Sequence, residues 1–343
     1  GEHSIVKLVD SLAAGKKPLD IPGVSFRQDS QVYFGPDPVP IEDLDSLAFP
    51  AWDLLDGFPA QYRPALFKYK QLPSTHAVSA RGCPNKCIFC DTSVFGRRVR
   101  FHSPEYVLEM ADYLVKDFGI KEIIFEDDQF LLKKERVEKI CEGFLNAKWR
   151  MSWSCSGRVN SANDLGLLKL MKQSGCWQIN YGIESGSQEI LDSANKAITT
   201  RQVERAVYLT TNAGILSKGY FILGLPQETE ETMKKTIRFA KSLSLNDVSV
   251  FMLTPFPGSR MYKIAEHYGV FDKDFHRMNI LNAVYVPRGL SKEKLLYYQR
   301  RFMRQFYLRP RIISNYLERL MTNPLNVANM FKAACGFFRH VWY

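Results

Sequence analysis

The spacing of hydrophobic residues changes at about residue 76. From there, short runs rich in Ile, Val, Phe and Tyr alternate with longer segments in which apolar residues recur every three or four positions. The first pattern is typical of buried parallel strands and the second of amphipathic helices. Six strands are predicted, at 76–80, 122–125, 151–155, 178–183, 219–223 and 248–253. Helices are predicted after them, at 104–118, 133–147, 162–173, 201–213, 229–243 and 258–267.

This alternation predicts an α/β fold with a parallel sheet and helices outside it. A complete eight-unit barrel needs about 250 residues. Six units fit a partial, TIM-like (β/α)6 barrel better, although an open doubly wound sheet has the same alternation. In both architectures, ligands bind at the carboxyl ends of the strands.

The two ends of the chain differ from this middle part. Residues 1–75 are dense in Gly and Pro, which limits them to a short helix near 5–12 and a hairpin near 24–34. Residues 286–343 are helical in pattern and contain 11 Lys/Arg against 2 Asp/Glu. We therefore predict a tail and linker (1–75), a barrel (76–285) and a basic helical extension (286–343).

Composition narrows the possibilities further. The 343 residues are 45% hydrophobic and 24% charged, as in a folded globular protein and unlike a disordered or collagen-like chain. There is no apolar run of 18 residues and no secretory leader pattern, so a cytoplasmic protein is expected. The net charge of +10 lies almost entirely in the extension.

Three of the seven cysteines lie close together, at Cys83, Cys87 and Cys90. Three thiolates directly after a strand can bind three irons of a cubane cluster and leave the fourth iron open. The alternatives are a structural zinc site, with Asp91, His76 or His102 as the fourth ligand, and a chance grouping of cysteines. The other cysteines are expected to be buried as small apolar side chains.

The spacing CxxxCxxC, with Phe89 before the last cysteine, resembles the radical S-adenosylmethionine (SAM) superfamily. The similarity continues through FEDDQF at 125–130, YGIESGS at 181–187, GYFILGLPQET at 219–229 and TPFPGS at 254–259. These motifs are most similar to the subgroup that has an N-terminal cobalamin-binding domain. The segment 41–53 resembles the linker of that subgroup, and the chain from residue 1 resembles the last turn of its cobalamin domain, so the domain is expected to be truncated here.

The resemblance implies a [4Fe–4S] cluster on the three cysteines, SAM as co-substrate, and cobalamin only through the missing domain. It also implies an electron donor such as flavodoxin or ferredoxin. The expected reaction is reductive cleavage of SAM to a 5′-deoxyadenosyl radical, which abstracts hydrogen from a small-molecule substrate. Methyl transfer, cyclisation or rearrangement of a bulky or hydrophobic metabolite would follow.

Candidate SAM contacts lie at strand ends. The acceptors are Asp127 and Asp128 for the ammonium and Glu184 for the ribose or ammonium, whereas Arg158 can pair with the carboxylate. Gly224 and Pro226 are expected to let the backbone approach the adenine, and Phe89 adjoins the cluster. Each has an ordinary structural alternative: a solvated acidic loop, a helix N-terminal acid, a surface ion pair or a plain turn.

The basic extension has three functional interpretations: a lid and barrel closure, a membrane-surface helix, or an RNA contact. The ordinary alternative is a solvated helix face. The lid interpretation is favoured, and nucleic acid is disfavoured because no compact RNA-binding module follows the barrel. Two alternatives to the main function remain. One is an RNA-modifying radical SAM enzyme, and the other is a non-catalytic, metal-stabilised protein with a basic interaction tail.

Overall fold

A computed structural model describes residues 1–65 and 68–321, with side chains as far as Glu318. The chain forms two compact units, Gly1–Leu44 and the part from Asp45 onward. Residues 45–65 and 68–75, which the sequence groups with the tail, thus belong to the same unit as the predicted barrel. Cys335 and the last part of the basic extension lie outside the described residues.

The first unit contains one helix and one hairpin. Helix α1 is Glu2–Ala13, and strands β1 (Ser25–Gln28) and β2 (Gln31–Phe34) pair antiparallel. This confirms the short helix and the hairpin predicted from the sequence. Several apolar side chains of α1 are exposed, namely Ile5, Val6, Val9 and Leu12.

The second unit is built on a curled, half-barrel sheet of six parallel strands. Its elements up to the third sheet strand are β3 (Ser74–Ala77), β4 (Ala80–Arg81), β5 (Arg100–Phe101), α2 (Pro104–Phe118), β6 (Glu122–Phe125), α3 (Lys134–Asn146) and β7 (Ser152–Gly157). The remaining elements up to the sixth sheet strand are α4 (Leu165–Gln173), β8 (Cys176–Glu184), α5 (Gln188–Ser193), α6 (Thr200–Asn212), β9 (Leu216–Leu223), α7 (Glu230–Ser242) and β10 (Asp247–Met252). The sheet order is β10-β9-β8-β7-β6-β3, so each strand lies beside its predecessor in the barrel. The predicted partial barrel is confirmed.

Local signals explain why the helices fall where they were predicted. Ser103 caps α2 by accepting the N–H of Tyr106, Pro104 opens the helix, and Gly119 ends it at φ +64°. Thr199 forms a capping box with Gln202 at the start of α6. The predicted strand at 76–80 differs most from the structure. It divides into β3 and β4, because β4 leaves the sheet to pair antiparallel with β5.

The two faces of the sheet have different compositions. The side chains that face the helices are buried and mostly apolar: Ile123, Phe125, Trp153, Cys155, Ile179, Tyr181, Phe221, Leu223, Val248 and Val250. The side chains that face the barrel interior alternate with them. Most are polar, namely His76, Ser154, Ser156, Gln178, Asn180, Lys218, Tyr220 and Ser249, and the apolar residues Ile124, Ile222 and Phe251 lie among them. The interior is therefore a mainly polar surface with a few apolar side chains, and not a second apolar core.

A buried carboxylate holds the amino ends of the strands together. Glu122 accepts hydrogen bonds from the backbone N–H groups of Lys70 and Gln71, from the Trp177 indole and from the Ser152 hydroxyl. Burial raises its pKa despite these donors. The segment that leads into β3 is thus fixed to the end of the barrel opposite the ligand-binding edge.

The unit continues with α8 (Arg260–Tyr268), β11 (Gly269–Phe271), β12 (Tyr285–Pro287), α9 (Lys292–Tyr307) and α10 (Pro310–Met321). Helix α9 buries Leu295, Tyr298, Phe302 and Phe306, as its periodicity predicts. Phe302 packs on Phe221 of β9, and the Gln299 amide donates to the Val250 carbonyl of β10. This part of the extension therefore covers the outer face of the last two strands. None of the helices in the described ranges has the length and apolar composition that a membrane crossing requires.

Candidate functional site

The three clustered cysteines lie in a loop closed by a small hairpin. Strands β4 and β5 pair at its base, and the Cys83 N–H donates to the Gly96 carbonyl at 3.2 Å. Gly82 has φ +99°, and a Cβ there would lie 2.4 Å from the Arg98 carbonyl oxygen. The loop can fold back this tightly only because residue 82 has no side chain.

N–H donors from three separate segments point at the cysteine sulfurs. The Gln129 Nε2 lies 3.2 Å from the Cys83 Sγ, and the Asn85 Nδ2 lies 3.3 Å from the same atom. The Arg158 Nη1 lies 3.6 Å from the Cys87 Sγ. Donors of this kind stabilise negative charge on sulfur, which is the state in which cysteine binds metals. The Cys83 and Cys87 sulfurs are therefore suited to the thiolate form, whereas burial raises the pKa of Cys90 to about 11.

The loop after β6 holds the cysteine segment in place. The buried Asp127 carboxylate accepts the N–H groups of Ser79 and Ala80 and the Ser79 hydroxyl. Burial raises the pKa of Asp127 to about 6, against the lowering effect of these donors. Both carboxylate oxygens accept these hydrogen bonds and the residue is only 2% exposed, so Asp127 holds the cysteine segment in place. Its contact with SAM stays a prediction.

Asp128 keeps a more accessible position. Its side chain is exposed, and one carboxylate oxygen accepts the Gly82 N–H at 3.3 Å. Asp128 thus adds one more hydrogen bond to the cysteine segment that Asp127 holds in place. Its carboxylate can still accept hydrogen bonds from a ligand.

A second polar cluster lies at the end of β8. Glu184 has φ +66° and forms an ion pair with Lys196, with 2.6 Å between Oε1 and Nζ and both side chains 8% exposed. The Lys196 ammonium also lies 5.7 Å from the centre of the Phe89 ring. Arg158 donates to the Lys196 carbonyl as well as to Cys87. The structure thus places Phe89, Arg158 and Glu184 close to the cysteines. This is the arrangement expected if all three lie at the carboxyl edge of the sheet.

The turn after β9 is built around another buried carboxylate. Gly224 has φ +88°, and its N–H and that of Leu225 donate to one oxygen of Glu228. The other oxygen has no hydrogen-bond partner among the described residues, and burial raises the pKa of Glu228 to about 8. Pro226 is buried, and its carbonyl accepts the Ser193 hydroxyl. The contact of Gly224 and Pro226 with adenine stays a prediction.

Titratable side chains line the barrel interior near these clusters. His76 and Glu126 pair at 2.9 Å, and both are about half exposed. Burial, with the charges of Glu126 and Asp247, raises the pKa of Tyr220 to about 12. The Tyr220 ring also lies 5.8 Å from that of Phe251. The interior therefore combines polar groups with one aromatic pair.

The remaining described cysteines behave differently from the clustered three. Cys141, Cys155 and Cys176 are buried, which confirms the prediction that they pack as small apolar residues. Within the described ranges, no three His, Cys, Asp or Glu side chains converge on one point as a single ion requires. A cubane cluster makes no such demand, since each thiolate binds a different iron.

Sequence reasoning missed four polar residues of this region: Asn85, Gln129, Lys196 and Glu228. Asn85 and Gln129 could have been noticed because each lies beside a recognised motif. Lys196 had no such signal, because its contact with Glu184 depends on the turn that follows α5. Glu228 was read as part of a motif, but its buried carboxylate follows only from the fold.

Comparison with known proteins agrees with this geometry. The Radical SAM superfamily model matches residues 78–240. An uncharacterized methyltransferase of Pyrococcus horikoshii is 34% identical over 318 residues, which are 91% of this chain and 67% of the relative. The anaerobic magnesium-protoporphyrin IX monomethyl ester cyclase of Rubrivivax gelatinosus is 29% identical over 90% of this chain and 56% of its own length. The chain thus spans about two thirds of the first relative and about half of the second.

Solved structures show the same fold. The cobalamin-dependent SAM radical enzyme OxsB superposes with a TM-score of 0.71 at 19% identity, covering 88% of this chain and 49% of OxsB. The radical SAM methyltransferase TsrM from Kitasatospora setae superposes with a TM-score of 0.61 at 19% identity, over 78% of this chain and 53% of TsrM. Family membership implies a [4Fe–4S] cluster and SAM as cofactors, and the cysteine loop with its N–H donors fits such a cluster. The chain belongs to the radical SAM superfamily.

Proposed function

We propose that this chain is the catalytic core of a radical SAM enzyme that modifies an unactivated carbon of a small-molecule substrate. The observation that carries the proposal is the cysteine loop, where Cys83 and Cys87 accept N–H donors from three segments at the carboxyl edge of the sheet. Cys83, Cys87 and Cys90 would hold the cluster. When bound, the cluster and SAM together supply a 5′-deoxyadenosyl radical that abstracts hydrogen.

The residues around the cluster suggest how SAM is held. Arg158 and Lys196 offer cationic groups to a carboxylate, and Glu184 offers an acceptor to an ammonium or a ribose hydroxyl. The Glu184–Lys196 pair is buried, so it is protected from competing water. We propose these three residues and exposed Asp128 as the SAM contacts, with Asp127 acting only through the backbone that it holds.

The barrel interior supports a bulky substrate that carries polar groups. Its wall offers the His76–Glu126 pair, Tyr220 and the partly accessible Ser156 and Ser249, whereas Phe251 adds apolar surface for a ring. Such a mixed surface orients a substrate through a few polar contacts. Methyl transfer or cyclisation is the proposed outcome, in keeping with the methyltransferase and cyclase among the relatives.

In this proposal, cobalamin takes part only if a further domain binds it. The apolar side chains that α1 exposes form a surface of the kind that a packed neighbouring domain covers. The relatives are longer than this chain, and one structural neighbour is cobalamin-dependent. An external electron donor such as flavodoxin or ferredoxin is proposed to reduce the cluster.

The test is SAM cleavage by the purified chain. The protein is reconstituted anaerobically with iron and sulfide, reduced with dithionite and mixed with SAM, and 5′-deoxyadenosine is measured by mass spectrometry. Wild type is expected to form the product, Cys87→Ala to form none, and Lys196→Met to need a higher SAM concentration. Zinc in place of iron would overturn the proposal in favour of a structural metal protein. Iron without 5′-deoxyadenosine would show that this chain alone does not perform the reaction.

A further inference from the structure

The donors to the cysteine sulfurs are distributed unequally. Cys83 receives two side-chain amides, from Gln129 at 3.2 Å and Asn85 at 3.3 Å. Cys87 has one longer contact, with Arg158 at 3.6 Å. The contact recorded for the Cys90 sulfur, at 3.7 Å, is to the carbonyl of Asp91, an acceptor. Two neutral N–H donors therefore meet at one of the three sulfurs.

Gln129 is held in place by the residues beside it. The Asp127 carboxylate accepts the N–H groups of Ser79 and Ala80, and the Asp128 carboxylate accepts the N–H of Gly82. Gln129 then reaches Cys83, so three consecutive side chains contact successive positions of the cysteine segment. Its side chain is buried, with the residue 4% exposed, so water does not readily replace its amide. The contact with sulfur is thus a fixed feature of the loop.

Hydrogen bonds to cluster sulfurs change the reduction potential. The reduced cluster carries one more negative charge than the oxidised cluster, and part of that charge lies on the thiolate sulfurs. An N–H donor stabilises this charge and so raises the potential. The low dielectric around a buried amide strengthens the effect. The amide is uncharged, so it can donate to the cysteine sulfur without also attracting the carboxylate of SAM as a cationic side chain would.

We propose that Gln129, with Asn85 as a weaker partner, tunes the reduction potential of the cluster through the Cys83 sulfur. This inference rests on the proposed assignment of Cys83 as a cluster ligand. Gln129 is a positioning and tuning residue and not a catalytic one, since it acts through the cysteine. Its buried amide makes the cluster easier to reduce and thereby matches it to a biological electron donor.

The test is an EPR-monitored redox titration of the reconstituted protein, without SAM or substrate. Gln129→Met keeps the length of the side chain and removes both amide hydrogens. It is expected to shift the midpoint potential to a more negative value, while the iron content stays that of wild type. Asn85→Leu is expected to shift the potential in the same direction by less, because Asn85 is less buried. The double variant is expected to shift it furthest.

Gln299→Met is the matched control. Gln299 is also a buried glutamine, 5% exposed, and its amide donates to a backbone carbonyl at 2.9 Å on the outer side of the sheet. It should leave the potential unchanged even if it lowers stability. An unchanged or more positive potential in Gln129→Met, with full iron content, would overturn the inference. Equal shifts in Gln129→Met and Gln299→Met would also overturn it. Loss of the cluster from wild type would instead contradict the proposed function.

Discussion

The two faces of the six-stranded sheet perform different tasks. On the face towards the helices, Phe125, Trp153 and Phe221 are completely buried and pack against one another or against helix side chains. On the interior face, Ser156, Asn180, Tyr220 and Ser249 keep part of their surface accessible. The same strands therefore supply the core with one set of residues and the proposed reaction chamber with the other.

Because of this difference, the residues that stabilise the fold are not the residues that can contact a ligand. Burial of apolar surface stabilises the fold in proportion to area, and the outer face provides that area. Exposed polar groups in the interior, such as the His76–Glu126 pair, contribute little to stability, and they stay available to a ligand. Substitutions on the two faces should therefore have different consequences, even when the residues lie on one strand.

The largest effect on stability is expected at Trp153. Trp153→Ala removes a fully buried ring that contacts Phe125, Phe130 and Phe144. It should lower the free energy of unfolding by about 3–5 kcal/mol. Ser156→Ala, on the interior face of the same strand, should change it by less than about 0.5 kcal/mol. Urea titration followed by circular dichroism measures both, and similar losses would remove the distinction between the faces.

Asp127 should come second, because it holds the cysteine segment. Asp127→Ala leaves the buried N–H groups of Ser79 and Ala80 without their carboxylate, which should cost about 2–3 kcal/mol. Asp128→Asn is the control, since its side chain is exposed and makes one long contact. Thermal unfolding compares them. Weaker SAM binding at unchanged stability in Asp127→Ala would instead favour Asp127 as a ligand contact.

Glu228 should make stability depend on pH. Its folded-state pKa of about 8 lies above the ordinary value of 4.5, so the folded protein retains a proton that the unfolded chain loses. The free energy of unfolding should therefore fall as pH rises from about 5 to 8. Glu228→Gln keeps the shape of the side chain without the charge and should flatten this slope. Urea midpoints at pH 5.5 and 8 measure it, and identical slopes would contradict the assignment.

The smallest effect is expected at the His76–Glu126 pair. Both side chains are about half exposed, so the pair should contribute no more than about 1 kcal/mol. His76→Ala should therefore unfold at nearly the same urea concentration as wild type. If the substrate contacts this pair, the variant should instead lose substrate turnover while it still cleaves SAM. A large loss of stability would instead show that His76 stabilises the fold as the outer-face residues do.

The sequence predicts the outer face better than the interior. Strand Glu122–Phe125 and helix Pro104–Phe118 were predicted to the residue, because apolar periodicity and caps are local signals. Irregularities of the sheet were not predicted. Near Trp177, β7 and β8 shift register, and Glu184 adopts a left-handed conformation after a second shift. Such features decide which polar side chains meet, and they depend on cross-strand packing that has no local signature.

The candidate site was predicted in outline and not in detail. The cysteines and their resemblance to a known motif identified the cluster site, and strand ends identified Arg158 and Glu184. The hydrogen bonds of Asp127 with Ser79 and Ala80 were not predicted, because the burial of its carboxylate cannot be seen from an acidic loop in the sequence. Lys196 was missed because it reaches Glu184 across a turn.

The central claim is that Cys83, Cys87 and Cys90 hold a cluster with one iron open to SAM. The most direct measurement is EPR of the reconstituted, dithionite-reduced chain with and without SAM, together with iron and sulfide analysis. We predict about four irons in wild type and in Cys141→Ala, a signal that SAM alters, and neither cluster nor signal in Cys87→Ala. Equal iron loss in Cys141→Ala and Cys87→Ala, or a signal that SAM leaves unchanged, would contradict the claim.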